Sequence, residues 1–234
     1  MSTYSWFAMV SPPATGLGPT SEKAVYQDSA GDRLFIWLFS RKMAKAVGKD
    51  TALSGYDGLV DLSNQIMQGR NAQQQQALVA VVLKSLVPAQ VLWLIRNLFS
   101  PTRLVCELNA WFAARLFEWL VGPCEVKTVE FTDATGQVRQ QHSSVHIKKC
   151  RYLDESRCVG MCVNMCKLPT QRFFTEDVGI PLTMVPNFED FSCEMIFGQP
   201  PPPLETEDAY KQPCLVDYCS LANRDPQPCP KVRN

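Results

Sequence analysis

Histidine is nearly missing from this chain: of 234 residues, only His142 and His146 carry an imidazole. A metal centre built on three or four histidines is therefore excluded, and any transition metal must rest on thiolates supplemented by Asp, Glu or one His. Net charge is missing as well, since 23 basic side chains balance 23 acidic ones. A balanced chain has no general electrostatic reason to bind nucleic acid or an anionic membrane, and no nucleic-acid-binding motif is present. The absence of a Gly-rich phosphate loop, a GxSxG elbow and an HExxH pair argues against nucleotide-dependent, serine-hydrolase and zinc-protease chemistry. No uninterrupted apolar run reaches the roughly 18 residues of a membrane span. The nearest candidate, residues 77–99, is broken by Lys84, Pro88, Gln90 and Arg96. Residues 1–20 are neutral and carry neither the basic and apolar regions of a secretory signal nor the arginines of a transit peptide, so targeting is not readable there.

Cysteine is what the chain has in excess. Eight of its ten cysteines fall between Cys150 and Cys229. Clustering of this kind serves thiolate metal sites in a reducing compartment, disulfide or redox pairs in an oxidising one, or simply buried thiols. Otherwise the composition, 46% hydrophobic and 20% charged, is that of a globular chain with a real core.

Periodicity divides the chain into a first stretch at 1–30, expected to be a flexible segment, and a single domain at 31–234. Residues 31–122 read as helical. Leu34, Trp37, Leu38 and Arg41 open one amphipathic segment that ends near Val47, a second covers 59–69, and a third spans 72–86 before Pro88 breaks it. The strongest helix is expected at 101–120, capped by Ser100 and stopped by Gly122-Pro123. Leu104, Leu108, Trp111, Phe112, Leu116 and Trp119 mark one apolar face on it. From 124 to 153 the period shifts toward two, giving a hairpin of strands 126–131 and 144–152 around the turn Asp133-Ala134-Thr135-Gly136. Residues 154–234 form a Cys- and Pro-rich irregular region. The fold class is α+β.

Cys158, Cys162 and Cys166 form C-x3-C-x3-C. On a straight helix the outer two lie about 12 Å apart, too far to share one metal, so either two of them ligate or the segment bends. Gly160 and a stop at Pro169 leave both routes open. Cys193, Cys214 and Cys219 are further candidates. The block Asn187-Phe188-Glu189-Asp190-Phe191-Ser192-Cys193 sets two carboxylates beside a thiol, where Glu189 and Asp190 are able to ligate iron or move a proton; the plainer reading is a turn capped by Asp. His142 and His146 stand four apart, on one face of a strand.

The run Lys149-Cys150-Arg151-Tyr152-Leu153, then Cys158-Val159-Gly160-Met161-Cys162-Val163-Asn164-Met165-Cys166-Lys167-Leu168-Pro169-Thr170-Gln171 with Phe173-Phe174, resembles the signature of the plant and algal β-carotene isomerase family. The likeness continues through Pro186 to Cys193, Phe197-Gly198, Pro201-Pro202-Pro203 and Pro213-Cys214 to Cys219. It implies a plastid location, dependence on iron, and interconversion of all-trans and 9-cis β-carotene, which feeds strigolactone synthesis. The spacing Cys214-x4-Cys219 followed by Ser220-Leu221-Ala222-Asn223 is more similar to a paralogous branch of that family.

Rotating a double bond in a polyene needs transient loss of its double-bond character, which iron can supply, and a long apolar slot to hold the twisted chain. The expected iron, as a cluster or a mononuclear centre, has Cys158, Cys162, Cys166 and Cys193 as ligands, with Cys214 and Cys219 competing. Trp93, Phe99, Trp111, Phe112, Phe117 and Trp119 are expected to line the slot. A carotenoid substrate dissolved in membranes favours peripheral attachment through an apolar helix face, for which 79–99 is the candidate. The rival readings are a non-enzymatic iron–sulfur or zinc module, which needs no tunnel beside its metal, and a disulfide redox sensor.

Overall fold

Six helices precede the first strand in the computed structural model, whose described residues are 23–132, 137–219 and 227–232. Helix α1 (Ala30–Val47) opens on a reciprocal cap between Ser29 and Asp32 and closes on Gly48, whose φ of 77° places it in the left-handed region. Helix α2 (Gly55–Met67) sets Leu59, Leu62 and Ile66 at the centre of the core, where each is at most 1% exposed. Helix α3 (Ala72–Leu86) starts on a second reciprocal cap, Asn71 with Gln74, and stops ahead of Pro88. Helix α4 (Ala89–Leu98) follows at once and buries no residue at all.

Helix α5 (Arg103–Leu116) is shorter than the 101–120 expected, and Thr102 rather than Ser100 caps it. It is also turned over. Its buried side is Cys106, Ala110, Ala113 and Ala114, while Leu104, Leu108, Trp111 and Phe112 face outward and are more than half exposed. Small residues let the helix backbone lie close on the sheet, where the Cβ of an alanine at Gly198 would stand 3.0 Å from Cys106 Sγ. Trp119 belongs to the separate turn α6 (Glu118–Val121) and is buried.

The hairpin is present as β1 (Cys124–Thr132) and β2 (Val138–Ile147), antiparallel, with a bulge between Lys127 and Val129. Its turn, 133–136, lies outside the described residues. Strand β2 begins and ends earlier than expected, because Arg151–Ser156 coils into helix α7. Two further strands were not legible: β3 (Leu182–Pro186) and β4 (Cys193–Phe197) complete an antiparallel sheet of order β1-β2-β4-β3. The α+β class holds.

Pro169 does not stop the chain. Helix α8 (Val159–Met161), a first π-helical piece π1 (Cys162–Lys167), helix α9 (Leu168–Arg172) and a second piece π2 (Phe173–Val178) run on as one rod. A proline inside an α-helix removes a donor and drives its ring against the carbonyl four residues back. Widening the preceding turn relieves that clash, and the Leu168 N–H reaches five residues back to the Val163 carbonyl. The tail then returns over the rod, and buried Asn164 donates to Gln75 Oε1 at 2.9 Å and to the Lys231 carbonyl at 2.7 Å.

Of the segment expected to be flexible, residues 1–22 lie outside the described residues. Residues 23–29 are strapped to α7. Lys23 pairs with Glu155 at 2.8 Å, the Ala24 N–H donates to Asp154, and Asp28 takes both nitrogens of Arg151. The Arg151 guanidinium also lies 3.8 Å from the Tyr56 ring centroid.

Candidate active site

Between the helical layer and the rod lies an apolar cavity of about 340 Å³, within the usual range of small-molecule sites. Apart from Ser63, Tyr152, Cys166 and Thr170, every wall residue is apolar. Ser63 Oγ donates to the Leu59 carbonyl at 3.0 Å and Tyr152 bonds Ser63, so these hydroxyls are spent inside the protein. Such a wall suits a hydrocarbon and gives a polar ligand little in return. Phe174 stands in a chain of edge-on rings, 6.4 Å from Phe117, 5.8 Å from Phe173 and 5.4 Å from Phe197. Phe35, Leu38 and Leu86 belong to the wall yet are 40%, 39% and 41% exposed, which marks the mouth.

Behind this cavity is a much smaller void, about 10 Å³, walled by Cys150, Cys162, Cys166 and Cys193. Three elements bring the thiols together. Strand β4 opens with Cys193 paired to Ile147, Cys150 follows β2 by three residues, and π1 supplies Cys162 and Cys166. Phe191, 1% exposed, adopts φ 64° and accepts the Cys150 N–H at 2.6 Å. A left-handed backbone at a bulky residue costs about 1–3 kcal/mol and is held by its surroundings. Here it fixes Cys150 against the strand bearing Cys193.

Burial pushes the Cys150 thiol up to about 11 and Cys166 to about 12, and holds Cys162 and Cys193 well above the usual thiol value. The buried Lys167 ammonium opposes this at Cys162 and Cys193. It lies 3.0 Å from Glu207 Oε2 and donates to the Met184 carbonyl. Among the described residues no three His, Cys, Asp or Glu side chains are already set to hold a metal ion. The donors themselves, four thiols with Tyr152 and Met184 beside them and no His, Asp or Glu in the void wall, match thiolate iron or zinc chemistry, provided the thiols lose their protons and draw inward. All ten cysteines are free thiols.

The structure sorts the expected site residues. Cys162, Cys166 and Cys193 come together. Cys158 stands aside: it lies near Cys229 and Lys231 and is not part of the void wall, where Cys150 takes its place. Cys214 and Cys219 pack in a separate small cluster with Cys229, Val159 and Leu168. Glu189 and Asp190 occupy the exposed turn between β3 and β4, where Asp190 Oδ1 accepts the Ser192 N–H at 2.8 Å; neither lines the cavity. His142 approaches Thr128 and His146 pairs with Glu194 across the sheet. Phe117 and Trp119 line the cavity, whereas Trp93, Phe99, Trp111 and Phe112 stand outside it on the surface. Tyr152, Met165 and the pair Phe173-Phe174 are wall residues that periodicity did not single out.

Residues 119–206 match the family model described as beta-carotene isomerase D27-like, C-terminal. That stretch contains all four converging thiols. Along 190 residues, 81% of this chain and 73% of the relative, the sequence is 43% identical to the chloroplastic beta-carotene isomerase D27 of Medicago truncatula. It is 36% identical to the protein of the same name from Arabidopsis thaliana over 201 residues, 85% of this chain and 74% of the relative. No solved structure matches the chain. With this degree of identity along most of both chains, the protein belongs to the β-carotene isomerase D27 family.

Proposed function

We propose that this protein is a plastid carotenoid cis/trans isomerase, acting on all-trans and 9-cis β-carotene or a related carotenoid, with iron held by Cys150, Cys162, Cys166 and Cys193. The observation that carries the reading is that Cys166 stands in the wall of both the apolar cavity and the four-thiol void. A polyene in the cavity would therefore lie one side chain away from the donor set. An electron-transfer module has no use for such a neighbour. The relatives' names supply the carotenoid and the chloroplast, and the role in strigolactone synthesis follows from family membership as an expectation.

Iron bound there supplies one-electron exchange or Lewis acidity at the double bond to be turned. The chain's own residues do the rest. The apolar wall excludes water and gives the polyene no polar anchor, so shape sets its position. Phe117, Phe173 and Phe174 meet edge to face along the slot, a rigid wall whose task is to hold the twisted polyene better than either planar isomer. The open mouth at Phe35, Leu38 and Leu86 lets a long substrate enter by one end while the remainder stays outside.

The test is an anaerobic incubation of iron-reconstituted protein with each β-carotene isomer, read by chromatography beside two variants. Cys166→Ser is expected to lose iron and turnover together. Leu83→Trp, which fills the cavity from α3, is expected to keep its iron and lose turnover. Iron-loaded wild-type protein that leaves both isomers unchanged would sink the reading.

A further inference from the structure

We infer that the outer faces of α1, α4 and α5 form a docking surface for an anionic lipid bilayer, arranged so that the cavity mouth opens against the membrane. The inference rests on the carotenoid reading for what passes through the mouth, but the surface stands on its own observations. Helix α4 exposes Val91, Trp93, Leu94 and Leu98 and buries nothing. Exposed apolar surface of this extent on a soluble domain marks an interaction site.

The exposed face leads into the mouth. On α5, Leu104, Leu108 and Phe112 form a row at four-residue spacing, and the next member, Leu116, is a cavity wall residue. On α1, exposed Leu34 is followed one turn later by Leu38, which is also in the wall. Helix α4 begins two residues after Val87, the last wall residue on that side. Three helices thus each carry apolar surface up to the wall of the same cavity.

Charge selects the occupant. The chain is neutral overall, yet these three helices carry Arg33, Arg41, Lys42, Lys45, Arg96, Arg103 and Arg115 against only Asp32 and Glu107. Arg41 lies over the ring of exposed Trp37 at 5.4 Å, and Arg115 over that of exposed Trp111 at 4.4 Å. Tryptophan and arginine side by side at the edge of an apolar face suit the boundary between headgroups and acyl chains. An excess of cations draws that face to anionic lipid, each worth about 1 kcal/mol near the surface. A second copy of the same chain would meet this face with like charge. Insertion across the bilayer is not required: among the described residues no single helix is long and apolar enough, and α3 with α4 reach the needed length only as a pair bent by 85°.

The experiment uses the full chain and carotene-free vesicles, of phosphatidylcholine alone and of phosphatidylcholine mixed with phosphatidylglycerol. The protein is expected to co-sediment with the anionic vesicles, and less so as salt screens the attraction. Trp93→Glu and Leu108→Glu, both at exposed positions and checked for unchanged melting, each weaken partitioning about tenfold or more, the loss of one buried large side chain. Val216→Glu, on the tail, leaves it unchanged. No sedimentation of the wild type with anionic vesicles overturns the inference. So does a lipid-free dimer, seen by light scattering, that the same two substitutions disperse. Turnover of detergent-dispersed β-carotene is read in parallel. Vesicle binding without turnover leaves the docking surface standing and sinks the isomerase reading, and turnover without vesicle binding does the reverse.

Discussion

The helical layer, 30–121, and the thiol-bearing layer, 124–232, break the usual inside–outside pattern in opposite ways. The first leaves tryptophans and leucines in solvent. The second takes charges inside: Arg151, Asp154, Lys167 and Glu207 are all at most 6% exposed, beside buried Asn164, Gln171 and Thr183. Buried polar groups are tolerated only when satisfied, and most of these are, by neighbours distant in sequence. Gln171 accepts the Met184 N–H at 2.7 Å, and Thr183 donates to the Gln199 carbonyl at 2.9 Å. The thiol layer is therefore held in one arrangement by directional bonds, which a site with fixed donors needs. The helical layer has fewer such bonds, among them Tyr56 to the Leu120 carbonyl at 2.5 Å and Gln75 to the Arg70 carbonyl at 2.7 Å, and rests mainly on apolar packing, which suits a greasy slot.

Removing a buried charge tests this contrast most severely. Lys167→Met strands Glu207 in the interior and is expected to cost about 3–5 kcal/mol in denaturant unfolding, the range for breaking a buried ion pair. A loss below about 1 kcal/mol would show that the layer is not held this way. Next comes pH. Cys150 and Cys166 bind protons more tightly folded than unfolded, so their contribution is complete below the ordinary thiol value of 9 and fades as pH rises through about 11 to 12. Metal-free protein should thus lose stability across that alkaline window, by a few kcal/mol. Bound metal, having displaced those protons, should flatten the loss.

Smaller effects sharpen the same comparison. Asn164→Ala, which orphans Gln75 and the Lys231 carbonyl, is expected to cost about 1–3 kcal/mol. On α5 the two sides should behave oppositely. Ala110→Leu, at a fully buried position facing the sheet, overpacks by about 1–3 kcal/mol. Leu108→Gln, two residues away on the outer row, should move stability by no more than about 0.5 kcal/mol. Equal losses at both positions would mean that the outer row is covered by something else.

Much of the helical layer was legible. The apolar periods of the second and third helical segments, the break at Pro88 and the alternation of the hairpin are local signals, and the structure places elements where they point; the cap expected at Ser100 lies two residues on, at Thr102. The orientation of α5 was not legible. A row of Leu, Trp and Phe has the same period whether it faces a core or the outside, and the small Cys106-Ala110-Ala113 stripe that faces the sheet is silent in hydropathy. Strands β3 and β4 are five residues each; they pair with each other across a short turn, but the pairing that joins them to the sheet, β4 with β2, spans a long stretch of sequence. Of the four converging thiols, Cys162, Cys166 and Cys193 stood out in the sequence and Cys150 did not: C-x3-C-x3-C drew attention to Cys158 instead, and only the path of β2 and the bond to Phe191 bring Cys150 to Cys193. Glu189 and Asp190 looked chemical because they flank a thiol in sequence, and a tight turn turns them away from it.

The two widened turns in the rod have a consequence for how this chain tolerates change. Each π-helical piece holds one residue more than an α-helical turn would. Single substitutions there leave the phase of the rod intact. Deleting one residue between Cys162 and Lys167 would remove the spare residue and return that piece to α-helical winding, so Phe173 and Phe174 beyond it would keep their direction. What would change lies inside the piece, where Cys162 and Cys166 would lose the spacing that brings both thiols to the void. The rod thus carries its slack where its thiols are: the aromatic wall is protected from a missing letter there, and the donor set is not.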